Sequence, residues 1–255
     1  MIKLLVFDLD GTLLHTDKSL SAFTVEILQE FRKLGGQIAI ATGRTITNVV
    51  GIAEQIGANY CIAQNGSVVY DMGNIIHQTV FDPQKVKDLV HLLTKIENAN
   101  IAVAYPTKIY TNNREFVKEG VREFSDFIDF DTEEIQKISV FTSNKHEMDK
   151  INFDEYDCRL ITSIENPTFY IIMQKNANKY NGLVALLNYI GLNEDDVAAF
   201  GDDYNDIDIL GKIKNSVAVE NAADELKKVA HYICNKNDED GPAKWIEEYI
   251  LNNKM

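Results

Sequence analysis

The chain has 255 residues, 45% of them hydrophobic and 25% charged, with a formal net charge of -14; this is enough apolar content and length for one large or two ordinary globular domains and excludes a disordered chain. The acidic balance, with a pI of about 4.8, argues against nucleic acid or a membrane surface as partner, because phosphate-rich surfaces are repelled overall, while one small phosphorylated ligand can still bind where local charge inverts the field. Cys61, Cys158 and Cys234 lack metal-ligand spacing, the N-terminal apolar run is too short for a signal-peptide core, and no stretch reaches membrane-spanning length, so a soluble cytoplasmic protein with reduced thiols is expected.

In chain order, residues 2–7 (IKLLVF) read as a buried strand by their unbroken apolar run. Residues 21–34 set Ile27, Leu28 and Phe31 on one helical face and stop at Gly35-Gly36. A second buried strand (QIAIAT), a helix over 46–56 ended by Gly57, and short strands in YCIAQNG, SVVYD and NIIHQTVF follow. Strand alternating with helix implies a parallel sheet with helices on its faces. From Asp82-Pro83 the pattern changes to a helix reaching about Asn98, strands IAVAY and KIYTN, a helix over 114–127, and strands KISVFT, RLITSI and TFYIIMQ. That is α+β with antiparallel pairing. The alternation then returns: a helix over 181–190 stopped by Gly191, a strand VAAF, a helix opened by GDDYNDIDIL, a strand SVAV, and helices from Ala222 and Pro242. The expected fold is α/β, a Rossmann-like three-layer core from residues 1–81 and 174–255, with an α+β domain inserted over 82–173.

In an open α/β sheet, ligands bind beyond the carboxyl ends of the strands near the switch in strand order. Strand one ends in Asp8 and Asp10, strand two in Thr42, Gly43 and Arg44, and VAAF is followed by Asp202, Asp203 and Asp206. Acids before a glycine are also ordinary turn chemistry, and GDDYND also suits a helix start. Their coincidence at strand ends of one sheet is what points to a site. Carboxylates a few Å apart raise one another's pKa and call for a cation. Hard oxygen donors suit Mg²⁺, completed by a substrate phosphate. His15, His77, His91, His146 and His231 are dispersed, read as unpaired, and offer no rival ligand set.

The segments VFDLDGTLL, ATGR, NANKYNG with Lys179, and AFGDDYNDIDIL resemble the four ordered motifs of the haloacid dehalogenase superfamily. In detail they resemble its Cof-like sugar-phosphatase branch, with a large cap between the second and third motifs. The Asn65-Gly66 turn and NDEDGP (237–242) are also similar, whereas the inserted domain resembles the branch in position and size more than in residues. The resemblance implies a Mg²⁺-dependent phosphomonoester hydrolase that works on small phosphorylated metabolites, sugar phosphates foremost, through an aspartyl phosphate. It casts Asp8 as nucleophile and Asp10 as general acid and then base. Mg²⁺ is implied on Asp8, the main-chain carbonyl of Asp10, and Asp202, with Asp206 ordering metal-bound water. Thr42, Gly43, Lys179 and Asn205 are implied to bind the phosphoryl group. Without the resemblance Lys179 is one of 25 basic residues and reads as surface.

Other residues stay open. Asp203 reads equally as a solvated helix-start acid or a supporting one, Arg44 as a partner of a carboxylate or a phosphate with a plain salt bridge ahead of a substrate contact, and Asn65 as the left-handed residue of a turn slightly ahead of a substrate contact. Glu220 in SVAVENA, where Met-Gly is commoner in the branch, and Ile171, where Glu is common, bear on specificity. The acid-rich KNDEDG loop is not a calcium loop, because Lys236 takes the first ligand position. Two other classes share parts of this set. A phosphomutase must protect its phosphoenzyme from water. A phospho-receiver module carries its phosphoryl group on a later strand and has no use for an inserted domain of about ninety residues. The physiological substrate and the oligomeric state are not encoded in these patterns.

Overall fold

A computed structural model describes residues 1–117, 122–162 and 166–252. The chain divides into two compact units, Met1–His77 with Asn178–Met255, and Gln78–Ala177.

The first unit opens with β1 (Leu4–Phe7), α1 (Ala22–Lys33), β2 (Gln37–Ala41), α2 (Val50–Ile56), β3 (Tyr60–Ala63), β4 (Val68–Asp71) and β5 (Asn74–Gln78). α1 forms where expected: the Ser21 hydroxyl caps it by accepting from Thr24 N, and it buries Ile27, Leu28 and Phe31. Its last turn carries Arg32 and Lys33, which suit the helix dipole.

The second unit holds α3 (Pro83–Leu93), β6 (Asn100–Ala104), β7 (Ile109–Thr111), β8 (Arg122–Phe124), β9 (Lys137–Phe141), α4 (Lys145–Asp149), β10 (Cys158–Thr162) and β11 (Phe169–Gln174). Its sheet runs β10-β11-β9-β6-β7-β8, mostly antiparallel. Ile101, Val103, Ile138, Val140 and Ile172 face one way and form a core with Val86, Leu89, Val90 and Leu93 of α3. Their alternates Ala102, Ala104, Lys137 and Ser139 therefore face the other way.

The first unit resumes with α5 (Lys179–Ile190), β12 (Val197–Gly201), α6 (Ile207–Leu210), β13 (Asn215–Val219), α7 (Asp224–Val229), β14 (Tyr232–Cys234) and α8 (Gly241–Ile246). Its eight-stranded sheet runs β14-β13-β12-β1-β2-β3-β4-β5. All pairs from β14 to β3 are parallel, and β3 with β4 is antiparallel. β1 is central and wholly buried because helices cover both faces, which explains its unbroken apolar run. Phe7 lies in register with Phe200 on one side and Ile40 on the other. Asp8, Asp202 and Thr42 thus leave the sheet at one end, where the chain order switches between β12 and β1.

Four expectations need correction. The helix over 114–127 is a short 3₁₀ turn, Arg114–Phe116, followed by β8, with residues 118–121 outside the described ones. The 46–56 helix is broken into a 3₁₀ turn, Ile46–Asn48, and α2. The helix from Asp82 ends at Leu93 instead of about Asn98. The GDDYNDIDIL segment forms a 3₁₀ turn, Tyr204–Asp206, before the brief α6. The last two residues of RLITSI also fall outside the described residues. Among the described residues no helix is long and apolar enough to cross a membrane.

Candidate active site

Asp8 follows β1 directly, and its main-chain N–H donates to Phe200 O, which fixes it beside the end of β12. The chain then turns tightly, with Leu14 N donating back to Leu9 O. Gly11 makes the turn possible twice over. Its φ is +83°, and a Cβ there would stand 2.5 Å from Asp202 Oδ2. Thr12, fully buried, donates from Oγ1 to Asp202 Oδ1 at 2.6 Å. The NDEDGP segment braces the same turn from below. Asn237 Nδ2 donates to Leu14 O at 3.0 Å, and Asn221 donates to Gly11 O at 2.8 Å while accepting from Asn237 N. Asp238 accepts from Thr16, and Asp240 from Thr24 and against His15 Nε2 at 3.0 Å. His15 and His231, the latter 3.1 Å from Ser216 Oγ, therefore have partners that sequence position did not suggest.

Lys179 enters as the first residue of α5, capped by Asn178, whose side chain accepts from Asn181 N at 2.7 Å. Gly66, at φ +91°, lets the two backbones touch: a Cβ on it would stand 2.0 Å from Asn178 O. The Lys179 ammonium is wholly buried and donates to Asp8 Oδ1 and Asp206 Oδ1, each at 2.6 Å. The other Asp206 oxygen accepts from the main-chain N–H groups of Asp202 and Asp203 at 3.2 Å. Asp203 itself caps Tyr204 and is exposed, the solvated helix-start residue of the two readings.

Asp8, Asp202 and Asp206 bring carboxylate oxygens within 4.8 Å of one another. Burial drives Asp8 well above the ordinary carboxylate range; Lys179 opposes the rise, and Asp206 and Asp202 add to it. Burial likewise lifts Asp202 to about 7, against the pull of the Thr12 hydrogen bond. Burial alone would lower Lys179, but Asp206 and Asp8 more than offset it and hold the ammonium charged. Three acids around one lysine leave an excess of negative charge, and their hard oxygens suit a divalent cation such as Mg²⁺.

The remaining residues divide into two groups. Thr42 is buried, and its Oγ1 accepts from Arg44 N at 3.2 Å. Asn65 sits in the left-handed region at φ 54° and donates its N–H to Thr42 O. Its side-chain oxygen accepts from Asn205 Nδ2 at 3.0 Å and lies 3.1 Å from where a Cβ on Gly43 would stand. Asn65 so joins the ends of β2 and β12. Asn205 Oδ1 is buried with no partner among the described residues.

Asp10 is different. Its carboxylate lies outside the acid cluster and receives Arg44 in a two-pronged contact at 2.6 and 2.7 Å, with Lys18 at 2.8 Å. Partial burial would raise its pKa, but hydrogen bonds from Arg44 and Lys18 bring it below the ordinary range. The Arg44 partnership was foreshadowed by a cation at a helix start; Lys18 gave no signal.

A family description, haloacid dehalogenase-like hydrolase, matches residues 5–246. The chain is 28% identical to the 5-amino-6-(5-phospho-D-ribitylamino)uracil phosphatase YcsE of Bacillus subtilis, over 98% of this chain and 96% of that one. It is 25% identical to phosphatase YwpJ of the same organism, over 98% and 100% of the two chains. Among solved structures it superposes on BT4131, described as a sugar phosphatase of subclass IIB of this superfamily, with a TM-score of 0.82. The identity is 23%, and 97% of this chain and 98% of that one are covered, a likeness of fold. The acid cluster, its lysine and these matches agree, and the chain belongs to the haloacid dehalogenase-like hydrolases as a phosphatase.

Proposed function

We propose that the chain hydrolyses small phosphorylated metabolites, sugar phosphates foremost, with Mg²⁺ and through an aspartyl phosphate. The observation that carries this is the buried meeting of Asp8, Asp202, Asp206 and Lys179 at the switch between β12 and β1. Asp8, Asp202 and the main-chain carbonyl of Asp10 would hold the Mg²⁺. When bound, it neutralises the acids and polarises the phosphoryl oxygens. The sugar-phosphate class is supported by the substrate of the subclass IIB fold neighbour and by the phosphorylated ribityl chain in the name of the Bacillus relative. Three free, buried cysteines support placing the enzyme in the reducing cytosol.

In this reading an Asp8 carboxylate oxygen attacks phosphorus, the bond from phosphorus to the substrate oxygen breaks, and the alcohol leaves with a proton from Asp10. Water, giving a proton to Asp10, then opens the aspartyl phosphate and frees Asp8. Lys179 holds Asp8 in place and offsets charge on the transferring group. Thr42, the Gly43 amide and Asn205 supply hydrogen bonds to phosphoryl oxygens. Asp10 cannot donate a proton while Arg44 and Lys18 hold it ionised. Acid catalysis requires its release from both toward the leaving oxygen. We assign discrimination between substrates to the unit Gln78–Ala177, because every residue given a catalytic role lies outside it.

Chelation is expected to abolish turnover and Mg²⁺ to restore it, read as phosphate release. Full activity in metal-free buffer would remove the reading. The role of Asp10 has its own test. Asp10→Asn is expected to slow phosphoenzyme formation about 10²–10⁴-fold with a sugar phosphate, the range of a positioned acid. With a nitrophenyl phosphate, whose phenolate leaves unprotonated, the slowing is far smaller. Rapid-mix kinetics on both substrates decides this, and equal slowing would assign Asp10 to holding Arg44 and the turn.

A further inference from the structure

Two loops from the far end of the chain reach the turn that follows Asp8. Asn221 follows β13 and Asn237 follows β14, yet both touch residues 11–14, which follow β1. In the strand order β14-β13-β12-β1 they must cross the end of β12 to do so, and Asp202 stands there. Asn221 Nδ2 donates to Gly11 O at 2.8 Å, Asn221 Oδ1 accepts from Asn237 N at 3.0 Å, and Asn237 Nδ2 donates to Leu14 O at 3.0 Å. The two amides thus tie both ends of the turn to one another. Only one orientation of the Asn221 amide serves, since its oxygen must face the N–H of Asn237 and its nitrogen the carbonyl of Gly11.

The clamp has a firm base. Gly241 closes the loop that carries Asn237, and a Cβ there would stand 1.9 Å from Asn235 O. Behind it, α8 sets Trp245 against Phe200 of β12 with ring centroids 5.5 Å apart, and Phe200 stacks on Phe7 of β1 at 4.8 Å. The loop is therefore fixed to the same strands that carry Asp8 and Asp202. What the clamp holds is Thr12. Fixing the carbonyl of Gly11 fixes the Thr12 N–H as well, because both belong to one planar peptide. The Thr12 hydroxyl, fully buried, then meets Asp202 Oδ1 at 2.6 Å. From the other side, Ala223 N donates to Asp202 O at 2.9 Å. Asp202 is so held at its carboxylate through Thr12 and at its main chain by the turn that carries Asn221.

We propose that Asn221 and Asn237 are positioning residues for the metal ion: they fix the turn over residues 11–14 so that Thr12 aims one oxygen of Asp202, and thereby set how tightly this chain holds Mg²⁺. The step rests on the Mg²⁺ reading given above. A carboxylate free to turn must be ordered at the moment the ion binds, which weakens binding, whereas one aimed beforehand is ready for it.

The probe is Mg²⁺ alone, titrated calorimetrically into the metal-free full chain without substrate. Thr12→Val is expected to raise the dissociation constant up to about a hundredfold and Asn221→Ala about tenfold, the range for partners that support a metal ligand. Asn221→Ala is the milder because its bond lies at the surface, where water replaces part of what the amide supplied. The double variant should bind as Thr12→Val does, because both changes act along one line of contacts. Asn235→Ala, in the same loop but with its amide on Glu239, should bind as wild type. Melting in chelator shows which variants fold. Should Asn237→Ala fail, since it leaves Leu14 O without its buried partner, Asn221→Ala at an exposed position decides alone. A purely structural clamp would lower the melting temperature in chelator and leave the Mg²⁺ dissociation constant of the folded variants unchanged, and that result overturns the proposal. Losses that add in full in the double variant overturn the route through Thr12. Weakened Mg²⁺ binding in a chain that hydrolyses no phosphomonoester keeps the clamp and removes the proposed reaction. A wild type that binds no Mg²⁺ overturns the clamp and the metal together.

Discussion

Asp8→Asn is expected to release no measurable phosphate, a loss on the order of 10⁶, as when the nucleophile of another hydrolase is removed. The amide preserves shape and volume but has no charged oxygen to attack phosphorus. The fold should tolerate the change. Burial holds the Asp8 carboxyl well above its ordinary range, and Lys179 does not cancel that rise. For an acid whose folded-state pKa is raised, ionisation is disfavoured in the folded protein. Its charge therefore costs stability at neutral pH, and a neutral amide removes the cost. In chelator the variant should melt no lower than wild type. Added Mg²⁺ should raise its melting temperature less, because one ligand has lost its charge. Acid-quench trapping should find no phosphoenzyme. Near-normal turnover would put the nucleophile elsewhere, and lost activity with a markedly lower melting temperature in chelator would mean that Asp8 matters to the fold.

The acids themselves were legible because each follows an unbroken apolar run: β1 before Asp8, β12 before Asp202. Such runs mark buried parallel strands, and residues just beyond them gather at one end of the sheet. What each acid touches was less legible. Asp206 takes Lys179 at 2.6 Å and two main-chain N–H groups, an arrangement set by a tight turn after Gly201 that the local pattern does not reveal. Asp10 meets Lys18 and Arg44, and nothing in the local pattern ties position 10 to position 44. In the second unit, the stretch over 114–127 has helical spacing in Val117, Phe124 and Phe127. Residues 122–124 nevertheless pair in parallel with β7, and pairing outweighs a weak local preference. β14 was missed because three residues at a sheet edge give too short a pattern to register.

Lys179 carries the second large effect, on stability and rate together. It was the residue least distinguishable from surface by composition, and it is wholly buried between two carboxylates. Lys179→Met keeps the apolar stem and removes the charge. That leaves Asp8 and Asp206 without a cation in a dry site, and breaking a buried pair costs about 3–5 kcal/mol. For a unit of this size such a loss lowers the melting temperature by roughly 10 °C. The loss should be larger in chelator than in Mg²⁺, since a divalent ion would offset part of the same excess charge. Turnover should fall about 10²–10³-fold even where the protein is folded, the magnitude for losing one preorganised electrostatic contact. Lys179→Arg should not rescue it, because a planar fork does not reproduce a single, wholly buried ammonium that reaches two oxygens at 2.6 Å. Melting curves in chelator and in Mg²⁺, with kcat at saturating substrate, measure both parts. A Met variant that melts as wild type in chelator would show that the three acids are not ionised together, and a near-normal kcat would remove Lys179 from the chemistry.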